Sequence, residues 1–336
     1  MPRSVSFSFN DPLAYQGAIR GGQLEVLVST RGDFQAKLQQ IDCNRLWMQY
    51  GCENLPGVKH ARFNLNRAVV LFLADPLQPC PRFCGVEISP QALTFSGLGS
   101  SYHLRTNGPF RWAAMSLPAH DFAAASAALT GREMRAGPET RTLHPDPAHM
   151  ARLVRLHRAA RQLVHTTPEV FLRPEVSNAL EDELVHAMVT CLADDDQLEP
   201  RSGWRHHSMI VRRFEEFLAE NCDRPLHLAE ICAAIGASER ILRICCEEHL
   251  GMGPIRYLWL RRMHLARRAL IRADPAKTTV TEVATHFGFW ELGRFATSYR
   301  ALFGESPSAC LHARASASRW PLQKKRPTTV AHATTA

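Results

Sequence analysis

Two arginines stand near the start of a short amphipathic segment in the C-terminal third of the chain. Arg240 and Arg243 are three residues apart and follow Ser238, a residue type that favours a helix N-cap. Arginine has the donor geometry to hydrogen-bond a guanine edge in the DNA major groove, while Arg, Ser, Thr and helix N-termini meet phosphates. These residue types therefore predict a surface that binds DNA.

A helix-turn-helix pattern positions these side chains. In residues 226–251 an apolar face (Leu228, Ile231, Cys232, Ile235) precedes Gly236, and Ser238 then begins a second helix. Glycine suits the turn because it tolerates positive φ. Leu242 and Cys245 face inward, and Arg240 and Arg243 face outward.

The same pattern recurs in residues 278–304. Thr279 and Glu282 form a capping box that starts a helix, Gly288 makes the turn, and a second helix runs from about Glu291. Phe295 and its helical neighbours Tyr299 and Leu302 face inward, with Arg294, Thr297 and Ser298 more outward. The stretch between the two units, residues 251–271, suits a long connecting helix, with Pro254 at a first helical position. A single helical hairpin is a weak signal, but its repetition is specific.

This C-terminal region resembles the DNA-binding domain of the AraC/XylS family of bacterial transcription regulators over about 100 residues. The signature positions are Ala284, Gly288, Phe289, Phe295, Tyr299, Arg300, Gly304 and Pro307. The tract FWELGRFATSYRALFGESPS is similar to the subgroup containing the ethanolamine-operon regulator. By resemblance, Arg294, Thr297 and Ser298 occupy the DNA-contacting positions of the second unit.

Two positions depart from the family pattern. Cys246 stands where the family usually has Phe, which predicts thinner packing of the first unit. Cys310 and Leu311 stand where an aromatic–Arg pair is common, which predicts the loss of a phosphate contact.

The resemblance also implies a function and partners. It implies a cytoplasmic transcriptional activator that binds promoter DNA, RNA polymerase and a small-molecule effector, and that forms a homodimer. The effector domain would be a cupin-like barrel. The expected fold class is α+β with two domains: an N-terminal cupin-like β-barrel with helices, and a C-terminal all-α double helix-turn-helix.

Charge is unevenly distributed along the 336 residues. Residues 205–336 hold 20 Lys and Arg against 12 Asp and Glu, while residues 1–204 hold 20 of each, so the net charge of +8 lies in the C-terminal part. A basic module attached to a neutral one suits DNA binding. The N-terminus has no apolar core, and no apolar run of roughly 18 residues occurs, so we expect no membrane partner.

Short strands punctuated by turns fill residues 33–118. The predicted strands are 34–42, 45–53, 58–64, 67–74, 82–89, 92–97, 101–107 and 110–118. Their regular spacing predicts an antiparallel barrel or sandwich. The predicted domains are an effector-binding and dimerisation domain (1–193, with helices at 148–193), a linker (194–207), the DNA-binding domain (208–312) and a disordered basic tail (313–336).

The helices at 148–193 carry apolar stripes, for which two interpretations remain open. The stripes either pack on their own barrel or form a subunit interface, and the resemblance favours the interface.

The candidate effector-binding residues are aromatic or polar side chains of the predicted strands: Trp47, Tyr50, His103, Arg105 and Trp112. Alternation alone does not decide which face is inward. We expect no cofactor, no metal and no catalytic residues, because His60 and His103 are far apart in sequence and no nucleotide-binding, zincin or nucleophile-elbow motif is present. The alternative function is an enzyme, or a thiol- or metal-based sensor using Cys80 or Cys84, fused to a DNA-binding domain.

Overall fold

A computed structural model of the protein describes residues 3–63, 65–193, 202–221, 224 and 226–317, with backbone alone at 202–206 and 314–317. The chain forms two compact units, Met1–Arg262 and Met263–Ala336. The first unit contains the β-rich region and the first helix-turn-helix, and the second contains the other. The boundary between the units falls inside the connecting helix, and the domain division predicted from sequence stays a prediction.

The chain begins with β1 (Arg3–Phe9), α1 (Pro12–Ala18) and β2 (Gly22–Val28), in a stretch where the sequence shows no strong pattern. The strands that follow are β3 (Ala36–Cys43), β4 (Leu46–Glu53), β5 (Gly57–Phe63), β6 (Arg67–Leu73), β7 (Arg82–Phe83), β8 (Val86–Glu87), β9 (Leu93–Ser96), β10 (Ser101–Thr106), β11 (Phe110–Pro118) and β12 (Arg141–Leu143). Each predicted strand from 34 to 118 is present, and the segment 82–89 is divided into the short hairpin β7–β8.

The described strands form two antiparallel sheets. The seven-stranded sheet has the order β1-β3-β4-β11-β6-β9-β12, and the five-stranded sheet has the order β2-β5-β10-β7-β8. One core cluster takes side chains from both sheets, including Leu38, Phe63, Leu104 and Trp112, so it lies between them. Because strand side chains alternate, the opposite faces of the same strands are available for helices.

Helices cover the other face of the seven-stranded sheet. They are α2 (Ala119–Thr130), α3 (Pro147–Thr166), α4 (Pro168–Phe171) and α5 (Pro174–Ala193). Leu153 of α3 and Leu184 and Met188 of α5 are buried in one cluster with Met48 and Phe72 of the sheet. Of the two interpretations left open, the structure therefore shows the stripes packed on their own domain.

The C-terminal helices are α6 (Ser202–Glu220), α7 (Leu228–Ile235), α8 (Glu239–Leu250), α9 (Pro254–Arg272), α10 (Val280–His286), α11 (Leu292–Phe303) and α12 (Pro307–Ala317). Helix α6 begins inside the predicted linker, and α12 continues into the predicted tail. Residues 194–201 of that linker and 318–336 of that tail lie outside the described residues. The predicted α+β class, with a β-rich N-terminal part and a helical double helix-turn-helix, is confirmed.

Candidate DNA-binding and effector sites

The first helix-turn-helix has the local geometry that its sequence predicts. Helix α7 ends at Gly236, whose φ is +68°, and α8 starts at Ser238, whose side chain accepts a hydrogen bond from the Ile241 amide at 3.3 Å. Cys232 and Leu242 are buried on the inner face. The glycine permits the left-handed turn, and the serine satisfies an amide left free at the start of the helix.

The outer face of α8 presents its arginines to solvent. Arg240 and Arg243 are both exposed, and Ser238 beside them is exposed too. In the part of the chain that the structure describes, neither guanidinium has an ion-pair partner. Cys246, which stands where the family usually has Phe, is fully buried. The smaller cysteine side chain therefore lies in the core of this helix-turn-helix.

The second helix-turn-helix has a full capping box. The Thr279 amide donates to Glu282 Oε2 at 2.7 Å, and the Glu282 amide donates to Thr279 Oγ1 at 3.2 Å. Gly288 has a φ of +76° at the turn. Phe295 is buried on the inner face of α11, with its ring centroid 4.8 Å from that of Phe289 and 5.6 Å from that of Tyr299.

The predicted contact residues of α11 differ in exposure. Arg294 and Thr297 are exposed, and Ser298 is half-buried. Arg294 lies 3.7 Å from Glu291, an exposed pair that contributes little to stability. The Thr297 hydroxyl donates to the Gly293 carbonyl at 2.9 Å, so it is already engaged within its own helix. Leu311 stands at the position where the family commonly has an arginine that would contact phosphate, and its side chain is buried.

The five predicted effector-binding residues do not come together. Trp112 lines a cavity between the two sheets, whereas the other four are not among its lining residues. Tyr50 stacks under Arg161 of α3, and Trp47 stacks under Arg67. The five side chains therefore do not line one cavity, because side chains alternate between the two faces of a strand and the sequence does not say which face is inward. Their role in effector binding stays a prediction.

The cavity between the sheets has polar groups that sequence reasoning missed. Its free volume is about 60 Å³. Glu53 and Lys59 lie in its wall with Nζ and Oε1 3.0 Å apart, and both are buried. Trp112 Nε1 donates to the Tyr15 hydroxyl at 2.9 Å. Burial raises the pKa of Glu53, and Lys59 lowers it, with burial the larger effect. The sequence did contain a signal for this site, because Glu53 and Lys59 are charged residues of opposite sign within two neighbouring predicted strands.

The outer face of the five-stranded sheet packs against α6, α8 and α9, which form the first helical module. Arg105 of β10 lies against Gly251, the residue after α8, where an added Cβ would be 2.2 Å from Arg105 Cζ. Glu25 of β2 pairs with Arg261 of α9 at 3.3 Å, and Arg261 Nη1 also donates to the Leu218 carbonyl of α6 at 2.6 Å. The predicted effector residues His103 and Arg105 thus belong to a face that contacts helices.

The cysteines of the alternative sensor hypothesis lie beside this sheet. Cys84 is buried, and burial raises the pKa of its thiol to about 11. A high pKa keeps the thiol protonated and weakly nucleophilic at neutral pH. This observation gives no support to a thiol sensor at Cys84.

Among the described residues, no helix combines the length and hydropathy that a membrane span requires.

Comparison with known proteins finds a matching family model in the C-terminal part of the chain. A model for a helix-turn-helix domain matches residues 231–313. The probable thc operon regulatory protein of Rhodococcus erythropolis is 36% identical over 146 residues, which are 42% of this chain and 43% of that protein. The XylDLEGF operon transcriptional activator 2 of Pseudomonas putida is 34% identical over 111 residues, 33% of this chain and 71% of that protein.

A crystal structure of the AraC-like transcriptional activator CuxR is 14% identical to the chain, covers 79% of this chain and 95% of its own, and has a TM-score of 0.40. The chain spans less than half the length of the Rhodococcus relative. The finer resemblance to the ethanolamine-operon subgroup stays a prediction. With two helix-turn-helix units and this level of identity across most of the Pseudomonas activator, the chain belongs to the AraC/XylS family of transcriptional regulators.

Proposed function

We propose that this regulator is a transcriptional activator that reads an asymmetric promoter site with both helix-turn-helix units and responds to a small molecule held between its two sheets. The single observation that supports the DNA-reading residues is the pair of exposed arginines on α8, neither of which has an ion-pair partner among the described residues. They follow the Ser238 N-cap, on the face opposite buried Leu242.

In the first unit, Arg240 and Arg243 read bases, and Ser238 with the start of α8 binds phosphate. In the second unit, Arg294 reads a base, and Ser298 contacts the DNA phosphates. Thr297 does the same once its hydroxyl turns away from the Gly293 carbonyl. One protomer then spans two successive major-groove segments about one helical turn apart, roughly 34 Å.

The test is a binding series over single-base operator variants at fixed salt. Arg240→Ala or Arg243→Ala should cost about 1–3 kcal/mol and relax preference at one base, and Arg294→Ala should act on the other segment. A phosphate contact would instead weaken binding evenly and lower the salt slope by about one. Arg132→Ala, an exposed arginine of the N-terminal domain, is the control. Unchanged affinity and base preference for both Arg240→Ala and Arg294→Ala would contradict this assignment.

The effector site is the cavity lined by Tyr15, Glu53, Lys59 and Trp112. Apolar side chains such as Leu71 and Leu104 form the rest of its wall. Ligand pockets combine an apolar lining with a few polar groups that orient the ligand. This arrangement suits a small, largely apolar molecule with one polar group placed near Lys59. Because the free volume is about 60 Å³, the sheets must separate slightly to admit it.

Strand alternation offers a route from the cavity to the DNA-binding helices. Lys59 and Ala61 of β5 line the cavity, and His60 between them lies on the outer face, near Glu215 of α6. A ligand that shifts β5 therefore also moves the surface on which α6 rests.

A thermal-shift screen of small apolar compounds, with and without a carboxylate, tests the effector site, because a ligand of the native state raises its melting temperature. Ala114→Leu fills the cavity wall and should abolish the shift while DNA binding is retained. Ala151→Leu, at an exposed position of α3, is the matched control. A ligand whose shift survives Ala114→Leu, with hydrogen-exchange protection confined to residues 205–312, would contradict the site.

The proposal includes a homodimer joined through residues 1–193 and contact with RNA polymerase at the promoter. Sedimentation of the whole chain and of residues 1–262 tests the dimer. If the whole chain is a dimer but the fragment 1–262 is a monomer, the interface does not lie in residues 1–193.

A further inference from the structure

Three side chains with metal-ligand chemistry meet on the outer face of the five-stranded sheet. His60 of β5 and His103 of β10 are direct cross-strand partners, with ring centroids 4.7 Å apart and planes 7° from parallel. Glu215 of α6 faces them, with Oε2 3.8 Å from His60 Nδ1 and Oε1 3.8 Å from His103 Nε2. One ligand atom from each residue lies within 4.8 Å of the other two.

Two of the three groups, Glu215 and His103, are deeply buried. Glu215 is 1% exposed and His103 4% exposed. Among the described residues, no hydrogen bond of normal geometry reaches either carboxylate oxygen or His103 Nε2, and the distances of 3.8 Å are too long for one. The Tyr257 side chain interacts with Glu215 and lowers its pKa, but by less than burial raises it. An isolated buried carboxylate costs several kcal/mol unless a cation or several donors compensate it.

The charged and titratable neighbours do not remove this cost. Burial raises the pKa of Glu215, and His60, Arg261 and Tyr257 lower it by smaller amounts, while Glu25 raises it. Burial lowers the pKa of His103, and the nearby His60 and His249 lower it further. His103 is therefore neutral at pH 7, the form of imidazole that binds metal ions.

We propose that His60, His103 and Glu215 form a binding site for a divalent transition-metal ion of the zinc type, which joins the five-stranded sheet to α6. Two imidazoles and one carboxylate are a common ligand set for zinc, with metal–ligand distances of about 2.0–2.2 Å. At the tetrahedral angle, two such ligand atoms lie about 3.3–3.6 Å apart. Bringing the three ligand atoms from their present separations of up to 4.8 Å to this spacing needs movements of up to about 1 Å and a rotation of the two imidazoles out of their stacked arrangement.

The ion would connect elements that belong to different parts of the regulator. Two ligands come from the strands whose inner faces line the effector cavity, and the third comes from the helix that packs against α7 and α8 of the first helix-turn-helix. Metal binding therefore stabilises the docking of that module on the sheet. Its test needs neither DNA nor effector, so it stands or fails apart from the proposed function.

The experiment titrates the chelator-treated whole protein with Co²⁺, followed by Zn²⁺ competition. We expect one ion per chain, d–d absorption of a nitrogen- and oxygen-ligated Co²⁺, no thiolate charge-transfer band, and a rise in melting temperature with Zn²⁺. His60→Gln, at a partly exposed position, and the isosteric Glu215→Gln should each lower affinity at least tenfold. His120→Gln, an exposed histidine of α2, should bind as the wild type does.

Absence of stoichiometric binding to the wild type would overturn the proposal. So would a Co²⁺ spectrum with thiolate bands, since the buried cysteines would then be the ligands. The wild-type spectrum decides between these outcomes without any variant. Circular dichroism checks that His60→Gln is folded, and equal affinity in a folded His60→Gln would likewise overturn the site.

Discussion

The two helix-turn-helix units share one sequence plan but are stabilised by different surroundings. In the first unit, α8 packs on α6 and, at its C-terminal end, against β10, where Arg105 lies on Gly251. In the second unit, α11 is held by an aromatic series within its own compact unit, in which Phe295, Tyr299 and Phe303 follow one another at ring distances of 5.6 and 4.7 Å.

Under the proposed function, this difference favours the first helix-turn-helix as the one that responds to the effector. The first unit shares buried polar contacts with the sheet whose other face lines the cavity, so events in that sheet change its environment. The second unit obtains its rigidity from apolar packing among α10, α11 and α12.

The largest expected effects come from the inner faces of the two units. Phe295→Ala should cost about 3–5 kcal/mol and Leu242→Ala about 2–5 kcal/mol, because each leaves a cavity in a buried site. Thermal unfolding and hydrogen exchange should show loss of protection in the unit that carries the change, and DNA binding should be lost. A variant of either kind with wild-type melting temperature would contradict the inward assignment.

A matched pair of glycines sharpens the comparison. Gly251 and Gly304 end α8 and α11 with φ of +73° and +79°. Alanine at either position should cost about 1–2 kcal/mol from the left-handed conformation alone. Gly251→Ala should cost about 1 kcal/mol more, because its Cβ displaces Arg105, whereas Gly304 has nothing within 4 Å.

Denaturant unfolding measures both glycine variants. Arg105→Ala combined with Gly251→Ala should remove the additional cost. Equal costs for the two single variants would show that α8 is not held against β10 in solution.

Acid should weaken the first unit through His249. Burial lowers the pKa of His249 to about 4, against about 6.5 in an unfolded chain. Its contribution to stability is complete above pH 6.5 and is lost as the pH falls towards 4, because the unfolded state binds the proton first. The loss should reach about 2 kcal/mol at pH 5.

Hydrogen-exchange protection factors at pH 7.5 and pH 5 measure this local loss. The difference should appear in the first helix-turn-helix, where His249→Gln should reduce it, and separately in α3, where burial lowers the pKa of His157 to about 3. An equal loss of protection in α10 and α11 would contradict the assignment to His249.

The smallest expected effects concern the helix caps. Ser238→Ala and Thr279→Ala should each cost about 1 kcal/mol, because an amide at the helix start loses its acceptor. Thermal unfolding measures both, and Thr281→Ala, at an exposed position without a capping role, is the control. A Ser238→Ala loss no greater than that of the control would show that this cap contributes nothing.

The helix caps and turns of both helix-turn-helix units could be predicted from the sequence. The capping box at Thr279, the N-cap at Ser238 and the positive φ at Gly236 and Gly288 are all present as predicted. Each depends on residues within a few positions of one another, so one short segment contains all the information. The strands from 34 to 118 were also readable, since apolar runs and turn residues mark their bounds.

Only the tertiary structure decided which faces of those strands meet. Strand pairing places His60 beside His103, although the sequence separates them, and packing brings Glu215 to both from a distant helix. The same alternation puts Trp112 in the cavity and Arg105 on the outer face, against Gly251. A one-residue change in register exchanges the two faces at no local cost, so the choice depends on the long-range packing of both sheets and the first helical module.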